Sequence, residues 1–145
     1  MLTILARDTD GARDVGAAVG GTWGALADLA RLEPDAVVNA TPVGGWPDPG
    51  ALPVAPADLR GVVFDMVTTP PRTPLLREAE RRGLRTVDGL SMLARQAAAQ
   101  QRWWWAGRQR RPGEAPPLSD TDVERELRAL VAEGVVDPTG VLHGA

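Results

Sequence analysis

The sequence predicts an α/β fold, an incomplete doubly wound parallel sheet with helices on both faces and a C-terminal helical tail. Three observations predict it. Short apolar, β-branched runs recur at residues 2–6, 36–40, 61–67 and 84–87. They are nearly continuous rather than alternating, as in strands covered on both faces. Helical patterns separate them, which implies parallel pairing through right-handed crossovers.

Each element has a local cause. Leu2-Thr3-Ile4-Leu5-Ala6 reads as a buried strand. From Ala12 to Val19, Val15, Ala18 and Val19 share one helical face, and Gly20-Gly21 ends it. Thr22-Trp23 allows a very short strand, and Leu26, Leu29 and Ala30 a helical turn or two before Pro34. Ala36 to Ala40 is a second firm strand, ended by Thr41-Pro42. The Gly/Pro-rich stretch 42–56 is a loop of the kind that wraps a ligand. A third strand covers 61–67. Thr73 caps a helix running to Arg82, with Pro74 in its first turn, Leu75, Leu76 and Ala79 inward, and Gly83 after it. After a last strand at 84–87, Asp88 or Ser91 caps a longer helix that runs toward Trp103-Trp104-Trp105.

Three regions follow: a partial α/β domain (1–107), an Arg/Pro-rich linker (108–118) and a helical tail (119–145). In the tail, Ser119 caps and Val123, Leu127, Leu130 and Val131 form an apolar stripe, for docking on the sheet or for an oligomer contact.

Composition narrows the chemistry. With 145 residues, 43% hydrophobic and 24% charged, the chain has the size and make-up of one globular domain. Zero Cys excludes disulfides and thiolate metal sites, and no metal is expected. No apolar run is long enough to cross a bilayer, and the first residues lack the basic start of a signal peptide, so a soluble cytoplasmic protein is expected. The net charge of −3 gives no global pull toward nucleic acid or membrane. All 16 basic residues are Arg, Tyr is absent, and the single His143 is two residues from the end, so only carboxylates remain in quantity for proton transfer. Three successive Trp beside Arg102, Arg108, Arg110 and Arg111 fit helix packing or a partner chain better than stacked bases.

Two segments carry more. Asn39-Ala40-Thr41-Pro42-Val43-Gly44 closes a strand, and Asp65-Met66-Val67 leads, without a gap, through Thr73-Pro74-Leu75-Leu76, Ala79, Gly83, Asp88-Gly89-Leu90 and Met92-Leu93 to Gln96-Ala97. This ordered series resembles the shikimate dehydrogenase family, covering the C-terminal, Rossmann-like NADP-binding part over roughly residues 2–107. The resemblance implies hydride transfer between NADP(H) and 3-dehydroshikimate or shikimate, in the chorismate and aromatic amino acid pathway. It places Arg7, Asn39, Ala40, Thr41, Met66, Val67, Gly89 and Met92 on the cofactor, and Gln96 and Thr68 on the substrate. Arg7 suits a 2′-phosphate, with Arg13 as a possible supplement, whereas Asp8 leaves NAD open. Asn39 and Thr41 can donate and accept toward a ribose or carboxamide, Gly89 lets backbone approach the nicotinamide, and Thr68 stands where the family has Tyr.

The resemblance also implies that the first strand, its Gly-rich loop and the substrate domain with its catalytic Lys and Asp lie outside this chain. No catalytic residue is assigned here, and activity of the chain alone is not expected. The alternative is a non-catalytic nucleotide-binding or oligomerisation module. A missing central strand leaves two inner edges, so the remaining strands are expected to close up, or the tail helix to cover the gap, or another copy or a partner chain to fill it.

Overall fold

The computed structural model describes residues 1–107 and 117–132. The chain opens with β1 (Thr3–Ala6), α1 (Thr9–Ala18), β2 (Thr22–Ala25) and a 3-10 turn (Leu26–Arg31). Then come β3 (Ala36–Asn39), a second 3-10 turn (Pro56–Asp58), β4 (Val62–Asp65), α2 (Pro74–Arg81), β5 (Thr86–Val87), α3 (Gly89–Ala106) and α4 (Asp120–Ala132). Expectations for 108–116 and 133–145 fall outside the described residues.

Local chemistry sets the helix ends. The Thr73 hydroxyl accepts from the Leu76 N–H at 3.3 Å, with Pro74 in the first turn of α2 and Gly83 past its end at φ 73°. Asp88, not Ser91, caps α3, its carboxylate accepting from the Ser91 N–H at 2.8 Å. Asp8 caps α1 through the Asp10 N–H, and the Ser119 hydroxyl accepts from the Asp122 N–H at the start of α4.

All pairing is parallel, as expected, but it makes two sheets instead of one. β1 pairs with β2, from Thr3 opposite Thr22 to Ala6 opposite Ala25. The second sheet runs β3-β4-β5, with Asn39 opposite Asp65 and Phe64 opposite Val87. These halves, β2-β1 and β3-β4-β5, are the ones that flank the central strand of a doubly wound sheet. Closure by direct pairing does not occur among the described residues.

Leu59, Val63, Leu75 and Ala79 form the main core, with Val37, Val54 and Leu84 against it, between α2 and one face of β3-β4-β5. The register puts Val38, Phe64 and Val87 side by side on the other face. There Val38 is 52% exposed and Val87 38% exposed, so the expected cover on both faces is only partly present. The tail helix packs on neither sheet face. Val123 and Leu127 of α4 sit on Ala94, Ala97 and Ala98 of α3, whose small side chains admit a close helix pair. No described helix is long and apolar enough to cross a membrane.

Candidate functional site

In a parallel sheet the loops after the strands gather at one edge, where ligands bind. At that edge Asn39 is the organising residue. It is buried, and its Nδ2 donates to the Val43 carbonyl at 3.1 Å and to Asp65 Oδ1 at 3.0 Å. Its Oδ1 accepts from the Thr41 N–H at 3.1 Å and the Thr41 hydroxyl at 2.7 Å. Thr41 Oγ1 in turn accepts from the Val43 N–H. The Asn39 amide therefore has both N–H groups and its oxygen engaged, and it shapes the 39–43 loop from within.

Asp65 is fully buried beneath this loop. It accepts from Asn39, from the Val67 N–H at 3.0 Å and from the Thr73 hydroxyl at 2.6 Å. With both oxygens committed, it joins the ends of β3 and β4 to the start of α2 and is no accessible base. Burying this carboxylate is tolerable because three donors meet it.

The edge continues into α3. The Met66 N–H donates to the Asn39 carbonyl at 3.0 Å. A Cβ on Gly89 would lie 2.4 Å from the Val67 carbonyl oxygen and 2.7 Å from that of Met66, so only glycine fits against the end of β4. Sequence reasoning assigned Gly89 to a close approach by the nicotinamide; the close approach in the structure is to the protein's own strand end.

The structure thus brings Asn39, Ala40, Thr41, Met66, Val67 and Gly89 into one rim, with Thr68 half-buried beside Val67. Ala40, Thr41 and Met66 are exposed on it. Met92, half-buried, and Gln96, exposed, follow Gly89 at helical spacings of three and four and share its side of α3. Arg7 lies on the other sheet, after β1. Its side chain is exposed and has no ion pair among the described residues. Arg13 does not supplement it freely, because Asp10 holds its guanidinium at 3.1 Å and Asp14 at 3.6 Å.

One feature was missed in the sequence. Arg128 of α4 donates through Nη2 to Asp88 at 2.8 Å, Glu124 at 2.8 Å and the Ser91 hydroxyl at 3.0 Å. Burial pulls the Asp88 carboxyl upward, but the bonds from Arg128 and the Ser91 N–H outweigh it and hold it below its ordinary value. Glu124 is lowered by the Arg128 and Ser91 bonds, and Arg128 is raised chiefly by Asp88. The Glu124–Arg128 spacing was a legible helical pair, whereas the tie to Asp88, 40 residues away, was not.

No family model matches the chain. A shikimate dehydrogenase (NADP(+)) of Methanocella arvoryzae is 44% identical over 87 residues, 59% of this chain and 32% of that protein. Its counterpart in Archaeoglobus fulgidus is 50% identical over 66 residues, 44% of this chain and 24% of that protein. Among solved structures, shikimate 5-dehydrogenase of Thermus thermophilus, in complex with NADP(H) and shikimate, superposes with a TM-score of 0.71 at 29% identity. That match covers 88% of this chain and 45% of that one. Quinate dehydrogenase of Corynebacterium glutamicum, in complex with NAD, gives 0.70 at 26% identity, covering 89% and 46%. The chain spans about a third or less of the curated relatives' length and under half of the solved ones. Over that span, in sequence and in fold, it is a homologue of the shikimate dehydrogenases.

Proposed function

We propose that this chain is the nucleotide-binding part of a shikimate-dehydrogenase-type oxidoreductase, taking NADP(H) at the carboxyl rim of its strands. The observation that carries it is the joined rim itself: Asn39, Asp65 and Gly89 tie three consecutive strand ends into one continuous edge. The exposed residues Ala40 and Thr41, with Met66, Val67 and Met92, would hold the nicotinamide end. Arg7, exposed and without an ion pair among the described residues, suits a 2′-phosphate at the adenosine end. Bound there, the dinucleotide supplies hydride transfer. Asn39 keeps the loop in shape instead of donating to the ligand, because its amide is spent.

The substrate class is a cyclic polyol of the shikimate kind, with Gln96 offering an amide to a hydroxyl and Thr68 lining the pocket. The chain has no Lys, and of the rim's two carboxylates Asp65 is enclosed and Asp88 bound to Arg128. Proton transfer therefore needs a group from outside residues 1–145, and these residues alone bind but do not turn over. The proposed setting is the cytoplasm, where pyridine nucleotides are held.

Calorimetric titration tests this. NADPH is expected to bind about tenfold more tightly than NADH, a preference of about 1.4 kcal/mol, and Arg7→Ala should erase it. Absence of NADPH binding at millimolar concentration would leave only a structural or oligomerisation role.

A further inference from the structure

Asp88 stands between the last residue of β5 and the first of α3. Its two carboxylate oxygens have separate partners. Oδ1 accepts from the Ser91 N–H at 2.8 Å and so caps α3, whereas Oδ2 accepts from Arg128 Nη2 of α4 at 2.8 Å. The same guanidinium is steadied from its own helix, where Glu124 Oε1 accepts from Arg128 Nε at 3.0 Å and from Nη2 at 2.8 Å. Ser91 closes the cluster, its hydroxyl donating to Glu124 Oε1 at 3.0 Å and accepting from Arg128 Nη2 at 3.0 Å. The Asp88 side chain is 19% exposed, so water screens this tie less than it screens the Arg13–Asp10 pair, whose side chains are 52% and 82% exposed.

What Arg128 holds is the backbone next to the rim. Gly89 follows Asp88 directly and is wedged against the end of β4, where a Cβ would lie 2.4 Å from the Val67 carbonyl oxygen. The Met92 N–H donates to the Asp88 carbonyl at 3.3 Å. A shift of Asp88 therefore carries Gly89 and Met92 with it, and backbone packed this closely passes the displacement on to Val67 instead of absorbing it. The other end of the helix pair is anchored away from the rim. Val123 and Leu127 lie on Ala94, Ala97 and Ala98, and Asp120 is bonded to Arg102, which is 14 residues beyond Asp88 and about 20 Å along α3.

We propose that Arg128 is a positioning residue for the dinucleotide: by fastening α4 to Asp88 it fixes the start of α3 at the nicotinamide end, and so couples docking of α4 to cofactor affinity. This rests on the rim being the NADP(H) site. Arg128 touches no ligand itself and acts through Asp88, Gly89 and Met92. Coupling between two sites is reciprocal, so bound NADPH holds α4 more firmly as well. The adenosine end, at Arg7 on the other sheet, lies outside this chain of contacts.

Two ligands separate this role from a purely structural one: NADPH, and adenosine 2′,5′-bisphosphate, which carries the 2′-phosphate but no nicotinamide. In calorimetric titrations of the full chain, Arg128→Met should weaken NADPH binding about fivefold, the low end of coupling between sites. The same variant should bind the bisphosphate as before, which also shows that it is folded. Arg128→Lys, which keeps the charge but not the planar fork, should recover part of the loss. Arg102→Met removes the α3–α4 tie far from the rim and should change the affinity for neither ligand. In the unmodified chain NADPH should slow amide exchange along α4, and the bisphosphate should not. Equal losses for the two ligands in Arg128→Met, an equal loss of NADPH affinity in Arg102→Met, or no loss at all would overturn the coupling, while NADPH binding by the unmodified chain would still uphold the proposed function. No binding of NADPH by the unmodified chain would overturn both.

Discussion

At the residue scale, the rim depends on side chains that never need to touch a ligand. Asp65 is the clearest case: replacing it with Ala would strand the Asn39 amide, the Val67 N–H and the Thr73 hydroxyl without their acceptor. Unsatisfied buried donors are expensive, so Asp65→Ala should lower unfolding free energy by about 2–4 kcal/mol in urea denaturation. Gly89→Ala has a different cause. Its Cβ would meet the Val67 carbonyl at 2.4 Å, and backbone has to move. A loss of about 1–3 kcal/mol, the usual cost of overpacking, should accompany weaker nucleotide binding. Both positions were legible as parts of one ordered motif. What each one meets was not, because Asp65 is reached by Asn39 from β3 and by Thr73 from α2, and Gly89 abuts the end of β4, and only the fold brings these near. Asp65 itself, enclosed by three donors, serves the structure and not the chemistry.

At the element scale, caps and helix stops were readable because they are local: Thr73, Asp88, Ser119 and Gly83 act within a few residues of themselves. The partner of α4 was not readable, since an apolar stripe says that a helix docks but not where. It docks on the alanines of α3, and Arg128 fastens its far side to Asp88 at the rim. Arg128→Met should loosen this contact by about 0.5–1 kcal/mol, a figure kept small because the pair is partly exposed and screened. The pH dependence has a definite sign. Asp88 and Glu124 titrate below their ordinary values when folded, so their contribution is present above the unfolded range and is lost as pH falls through the folded one. Docking of α4 should therefore weaken below about pH 4, near the ordinary carboxylate range, with Asp120, bonded to Arg102, adding in the same direction. Amide exchange at α4 across an acid titration checks this; in Arg128→Met the part of the response due to Asp88 and Glu124 should be gone, leaving that of Asp120.

At the scale of the whole molecule, strand direction and order followed from the alternation of apolar runs and helices, and both sheets are parallel. Continuity of the sheet did not follow. Apolar patterning reports that a strand wants neighbours, and it cannot say whether 1–145 supplies them. The result is two half-sheets with a rim on the larger one, Arg7 on the smaller one and proton transfer assigned to groups elsewhere. The most direct measurement of this account is the set of backbone amide shifts of the labelled chain during titration with NADPH. The account predicts that the largest changes fall at Arg7, Ala40, Thr41, Val67, Thr68 and Gly89. Changes confined to Trp103, Trp104 and α4, or none at saturating nucleotide, would contradict it.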